Sequence, residues 1–245
     1  MSFHSRLLNL GTVITLSLVL FLISPSEAKR VFPEWNEKVF TEIEKRHGKE
    51  ASERMWQVYE LIKENVNKPA GEQIEIVNEY MNGLTWIADR DLWEKSDYWA
   101  TPFETLTTFG GDCEDIAIAK YTVLRLLGIA DDKLGFVYVV TSNREYHMAL
   151  AYKESPNKDS LILDNLHQEI VPSAMRKDLV AVYAFKNDGT LFVIKDKGNG
   201  QRSVLKKKAG APLQKWFTAK ERARENYKSY LPYNNGNPLL PAWVK

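Results

Sequence analysis

Cys113 is the single cysteine in a chain of 245 residues, and it stands in Gly110-Gly111-Asp112-Cys113-Glu114-Asp115, where a helical pattern begins. The thiolate is the reactive form of cysteine, and the free N–H groups and dipole of a helix N-terminus favour it. A nucleophilic thiol also needs a base, and the base needs a group that orients it. His147 and Asp164 follow downstream, so Cys113, His147 and Asp164 form the candidate catalytic set. In that set the sulfur attacks an acyl carbon, the imidazole carries the proton, and the carboxylate orients the ring. Amides at the helix start are placed to receive an oxyanion.

The acidic neighbours pull the other way. Asp112, Glu114 and Asp115 surround the sulfur with up to three negative charges, which raise a thiol's pKa. Two arrangements relieve the conflict. In one, Asp112 caps the helix and the other carboxylates turn to the surface. In the other, a cation neutralises them, and calcium suits hard carboxylate oxygens. Asp89-Arg90-Asp91 superficially resembles a calcium loop, but it lacks the turn glycine, and Ala100 stands at the closing position.

His147 lies in a segment, 145–152, that alternates as a strand. His147, Ala149 and Ala151 share one face; Tyr146, Met148 and Leu150 share the other. The two alanines leave room over their face, and the helix of Cys113 is its expected occupant. Residues 160–164 read as the next strand. A hairpin that pairs Tyr152 with Asp159 sets His147 directly opposite Asp164, with Cβ atoms about 4.5–5.5 Å apart. The rival base, His167, sits beside a turn and reads as a surface residue. His47 lies near a helix end.

The elements that must position these groups are legible. Trp35, Val39 and Ile43, then Met55, Tyr59, Ile62 and Val66, then Ile74, Val77 and Met81 mark three helices. Thr101-Pro102-Phe103-Glu104 reads as a capping box with proline at the first helical position. Beyond the helix 113–127 the period changes to that of strands, at 134–141, 145–152, 160–164, 179–185 and 190–194. Asn187-Asp188-Gly189 is a hairpin signal, and an amphipathic helix spans about 212–227. Helices first and strands afterwards give an α+β fold, with N-terminal helices and the catalytic helix packed on an antiparallel sheet.

The first residues, with Arg6, an apolar stretch at 7–23 and Ser24-Pro25-Ser26-Glu27-Ala28, read as a signal peptide over 1–28. A single catalytic domain is expected over 29–230 and a tail over 231–245. No later stretch is long and apolar enough to cross a bilayer. The net charge is +1, but residues 201–228 carry nine basic and two acidic side chains. That stretch is either a solvated helix face or a docking surface for a charged partner. No nucleic-acid partner is expected.

Two segments, Asp97-Tyr98-Trp99-Ala100-Thr101-Pro102-Phe103-Glu104 and Gly111-Asp112-Cys113-Glu114-Asp115-Ile116-Ala117-Ile118-Ala119-Lys120, carry a specific likeness. Tyr121, Leu127-Gly128-Ile129, Val137-Tyr138-Val139, His147-Met148-Ala149-Leu150 and Leu163-Asp164-Asn165 continue it in order. The chain resembles the bacterial transglutaminase-like cysteine proteinases of the periplasmic LapG type, over about residues 77–193. The resemblance implies a papain-like, transglutaminase-type fold and peptide hydrolysis by Cys113, His147 and Asp164. It implies Ca2+ bound through Asp112 and Glu114. It further implies a periplasmic enzyme that clips a large surface adhesin near its N-terminal retention region, at a dialanine-containing site. An inner-membrane cyclic-di-GMP receptor would sequester it, placing biofilm retention and dispersal under its control. Two alternatives stay open: acyl transfer or amide hydrolysis on another periplasmic substrate, and a binding module, against which the intact Cys, His and Asp argue.

Overall fold

The computed structural model describes residues 35–196, 202–208, 210 and 213–236. The expected signal peptide and the end of the tail lie outside the described residues. Helices α1 (Glu37–His47), α2 (Lys49–Asn65) and α3 (Ala70–Asn82) form where the apolar spacing places them. Val39, Ile43, Met55, Val58, Ile62, Ile74, Val77 and Met81 are all buried. Asn36 caps α1, its side chain accepting the Lys38 N–H at 3.0 Å. Gly48 ends α1 with φ +92°, a region that side chains rarely adopt, so the chain breaks there and α2 begins.

The strand β1 (Thr85–Trp86) and helix α4 (Asp89–Trp93) lead into the expected capping box of α5 (Pro102–Thr108). The Glu104 N–H donates to Thr101 Oγ1 at 3.1 Å, and the Thr101 N–H donates to Glu104 Oε2 at 2.6 Å. A two-residue strand, β2 (Gly110–Gly111), then runs parallel to β1 and delivers the chain to α6 (Cys113–Leu126).

The remaining strands are β3 (Leu134–Thr141), β4 (Tyr146–Tyr152), β5 (Leu161–Leu163), β6 (Val171–Pro172), β7 (Leu179–Phe185), β8 (Leu191–Asp196) and β9 (Arg202–Lys207). Among the described residues they form one sheet in the order β6-β5-β4-β3-β7-β8-β9, every neighbouring pair antiparallel. The α+β expectation holds.

Two local expectations are corrected. Helix α6 packs on β4, but the face it covers carries Met148, Leu150 and Tyr152, which share a buried core with Ile116, Ala117 and Leu124. Larger apolar side chains supply the burial that favours this side. Ala149 and Ala151 instead line a cavity of about 570 Å³ on the other face, with Val137 and Ile162. The register of β4 and β5 also differs, pairing Leu150 with Leu163 and Tyr152 with Leu161. The β4–β5 loop is two residues longer on the β5 side than the expected hairpin. An even shift keeps every side chain on its face. His147 and Asp164 therefore still meet, on a diagonal rather than directly opposite.

The last helix, α7 (Gln214–Tyr230), buries Trp216, Ala219, Ala223 and Tyr227. The Trp216 ring lies 5.0 Å from Phe136, which stacks 4.8 Å from Phe185. Part of the basic stretch has a structural use. Lys215 pairs with Asp97, and Arg222 donates to the Trp99 carbonyl while lying 4.3 Å over the Tyr98 ring. These contacts hold residues 97–99 beside the start of α6.

Candidate active site

Cys113 is the first residue of α6, and β2 fixes its approach. A Cβ on Gly111 would stand 2.6 Å from both Cβ and Oδ2 of Asp115, so only glycine passes over the first turn of the helix. Asp115 has no freedom to withdraw, since its Oδ1 accepts the Ala100 N–H at 2.7 Å. Gly111→Ala is therefore expected to cost about 1–3 kcal/mol by overpacking. In thermal unfolding this is a fall of roughly 3–10 °C in Tm, with activity lowered by the displaced thiol. An unchanged Tm would remove the close-approach argument.

The thiol lies in a half-buried position and donates to Glu114 Oε2 at 3.0 Å. Burial pushes its pKa up, the negative charges of Glu114 and Asp112 push further, and a hydrogen bond from the Met148 amide acts in the opposite sense. Through that amide the sulfur meets β4 one residue after His147.

His147 is buried, 4% exposed, and its Nε2 lies 2.6 Å from Asp164 Oδ1. This commits Nε2 to the carboxylate and leaves Nδ1 as the other ring nitrogen. Asp164, just past the end of β5, is 1% exposed. Its Oδ1 also accepts the Leu166 N–H at 3.0 Å, and Arg176 Nη2 lies 2.7 Å from its Oδ2. Burial alone would raise this carboxyl. The hydrogen bond and charge of His147, the Leu166 amide and Arg176 outweigh it and hold the group well below the usual carboxylate range. His167 is exposed and its Nδ1 pairs with the Glu169 carbonyl at 3.1 Å, outside this cluster.

Asp112 occupies the N-cap position of α6 without a side-chain capping bond. Its carboxylate joins a cluster instead. Ligand atoms of Asp89, Asp112 and Asp115 lie within 4.8 Å of one another, as do those of Asp112, Cys113 and Glu114, and of Asp89, Asp97 and Glu114. Asp89 also accepts the Tyr98 N–H. Burial first, and mutual repulsion second, push Asp112 up to about 9; burial and the charges of Glu114 and Asp89 push Asp115 up to about 8. Asp89 Oδ1, Asp112 Oδ1 and Asp115 Oδ2 are buried and lack a hydrogen-bond partner among the described residues. Converging hard oxygens with excess negative charge fit a divalent cation such as Ca2+. The family resemblance implied Asp112 and Glu114, Asp115 was read beside them as a third carboxylate near the sulfur, and the fold brings Asp89 to the same cluster. Asp89 sits in the Asp-Arg-Asp run that an EF-hand template rejects, because the donors come from α4 and α6 rather than from one loop.

A thiol at a helix start, set against a strand whose histidine pairs with an aspartate just past the end of the next strand, fits a cysteine hydrolase of the transglutaminase-like fold. The profile of bacterial transglutaminase-like cysteine proteinases matches residues 38–179, and the chain belongs to that family. It is a cysteine proteinase. The solved structure of Legionella pneumophila LapG is similar at a TM-score of 0.63 and 30% identity, covering 76% of this chain and 96% of that one. The EGTA-treated form gives 0.65 and 31%, covering 76% and 96%. The calcium-bound form gives 0.62 and 30%, covering 76% and 97%. No curated protein sequence matches the chain.

Proposed function

We propose that this chain is a calcium-dependent periplasmic endopeptidase with Cys113 as nucleophile, His147 as proton carrier and Asp164 as the orienting carboxylate. The observation that carries this reading is the buried His147–Asp164 hydrogen bond of 2.6 Å, on the strand whose next amide meets the Cys113 sulfur. The thiol proton passes to His147 Nδ1 as sulfur attacks the peptide carbonyl. The oxyanion forms beside the N–H groups at the start of α6. His147 then protonates the leaving amine, and water hydrolyses the thioester. Asp164 keeps Nε2 occupied, so that Nδ1 faces the chemistry.

Asp89, Asp112, Glu114 and Asp115 would hold the ion, which supplies positive charge against the carboxylates that otherwise suppress the thiolate. The similar LapG structures include a calcium-bound and an EGTA-treated form, which favours this ion. The substrate in this reading is a large surface adhesin, cut at a dialanine-type site near its N-terminus. An inner-membrane cyclic-di-GMP receptor sequesters the enzyme, and biofilm retention or dispersal follows. Export is supported by the apolar stretch 7–23 and its small-residue ending at Ala28. Among the described residues no helix is long and apolar enough to cross a membrane.

The test is cleavage of a purified adhesin N-terminal fragment containing a dialanine, followed by intact mass. Two products whose masses sum to the substrate plus one water are expected. Amine incorporation in place of water would move the reading to acyl transfer. EGTA should slow cleavage by at least about tenfold, and Ca2+ but not Mg2+ should restore it, since Mg2+ demands a tighter octahedral shell. A rate indifferent to EGTA would end the calcium assignment.

A further inference from the structure

Arg176 is a cation in a place where charge is costly. It is 6% exposed and follows the short helical turn Ser173–Met175, twelve residues beyond Asp164. Its Nε and Nη2 donate to Asp178 Oδ1 and Oδ2 at 2.9 and 2.7 Å, and the same Nη2 lies 2.7 Å from Asp164 Oδ2. A two-point pair of this kind fixes the plane of a guanidinium. The Asp178 side chain is half exposed, so the outer carboxylate holds the fork and the inner one receives it.

We infer that Arg176 is a positioning residue for the proteolytic reaction: held flat by Asp178, it pins Asp164 Oδ2 and leaves Oδ1 to His147. This rests on the Cys-His-Asp reading above. The groups facing Asp164 from the packed elements support it. His147 approaches from β4 at 2.6 Å, and the Leu166 amide at 3.0 Å. Asn82 on α3 binds the Asp164 carbonyl at 2.9 Å, which fixes the backbone and leaves the carboxylate to turn. Lys120 on α6 is the second cation near enough to act on Asp164, but its Nζ donates to Asn78 Oδ1 at 2.7 Å. Arg176 is thus the cation in direct contact with the carboxylate. Without it Asp164 can rotate about its last torsion, and the ring loses its fixed partner.

The test compares Arg176→Met, Arg176→Lys and Asp178→Asn with the parent protein, each checked for folding by circular dichroism. A strong, charge-assisted ring N–H bond gives a downfield proton resonance, assigned to His147 by its loss in His147→Ala. Arg176→Met is expected to broaden or remove that signal. It should also lower kcat on the adhesin fragment by about 10- to 100-fold, the scale of a small misplacement of a catalytic group, with KM within about twofold. Arg176→Lys should recover part of both, since lysine restores the charge without the fork. A folded Arg176→Met with the resonance in place and kcat within twofold overturns the inference. If that variant does not fold, Asp178→Asn decides, and an unmoved resonance there overturns it equally. Activity surviving in Cys113→Ala or His147→Ala would sink the Cys-His-Asp reading itself. Dead triad variants beside an unaffected Arg176→Met would sink only this inference.

Discussion

Cys113→Ala is expected to lower peptide hydrolysis by on the order of 10⁴-fold or more, the cost of removing a nucleophile from a catalytic triad. The fold should survive it, and the melting temperature should stay level or rise. The reason lies in the surroundings of the sulfur. Burial disfavours its thiolate, and Glu114 and Asp112 add negative charge to a site that must become negative to react. Alanine at the first position of α6 suits the helix and leaves the carboxylate cluster free to bind its ion, giving up only the neutral thiol's bond to Glu114. Activity is therefore lost while stability is kept. The measurement is a pair: turnover of the adhesin fragment and thermal unfolding by circular dichroism. Residual hydrolysis within tenfold of the parent would remove Cys113 from the mechanism.

Which parts of the site could be read from sequence follows from how each part is encoded. Cys113, its preceding glycines and the Thr101–Glu104 capping box are local, because short spacing along the chain dictates their geometry. Strand identities followed from alternation, and so did the common face of His147 and Asp164. Register was not local. It depends on how residues 153–160 close, and the pairing lies two residues from the expected one without any side chain crossing the sheet. The face that α6 covers was misread because small side chains look like space for a neighbour. In fact Met148 and Leu150 gain more from burial than Ala149 and Ala151 lose by facing a cavity. Asp89 and Arg176 were missed for a third reason. Each acts through a partner far away in the chain, and no spacing rule joins Asp89 to Asp115 or Arg176 to Asp164.

Asp164→Asn should be nearly as damaging as loss of the thiol, at roughly 10⁴-fold in kcat, because the amide cannot satisfy its neighbours as a carboxylate does. Two N–H donors and a cation converge on Asp164: His147 Nε2 and the Leu166 amide on Oδ1, with Arg176 Nη2 paired 2.7 Å from Oδ2. Asparagine offers one acceptor oxygen and one NH2 group. With its oxygen towards Arg176, the NH2 points at Nε2, which must then accept; the ring proton moves to Nδ1, where it blocks the thiol. With the oxygen towards His147, the NH2 meets the buried guanidinium, donor against donor. The second arrangement keeps the tautomer but leaves an unpaired buried cation, a penalty of about 1–3 kcal/mol or more. Both lose activity, and stability distinguishes them. A pH series separates the carboxylate's own contribution. Its folded-state pKa is depressed, so its ionisation stabilises the fold above the unfolded value of about 3.9 and that stability is lost as pH falls below it. Between about pH 5 and pH 2 the parent should therefore lose stability more steeply than Asp164→Asn, which has no proton to take up there. Parallel acid-unfolding curves would mean that Asp164 is not held as the ionised partner of His147 and Arg176.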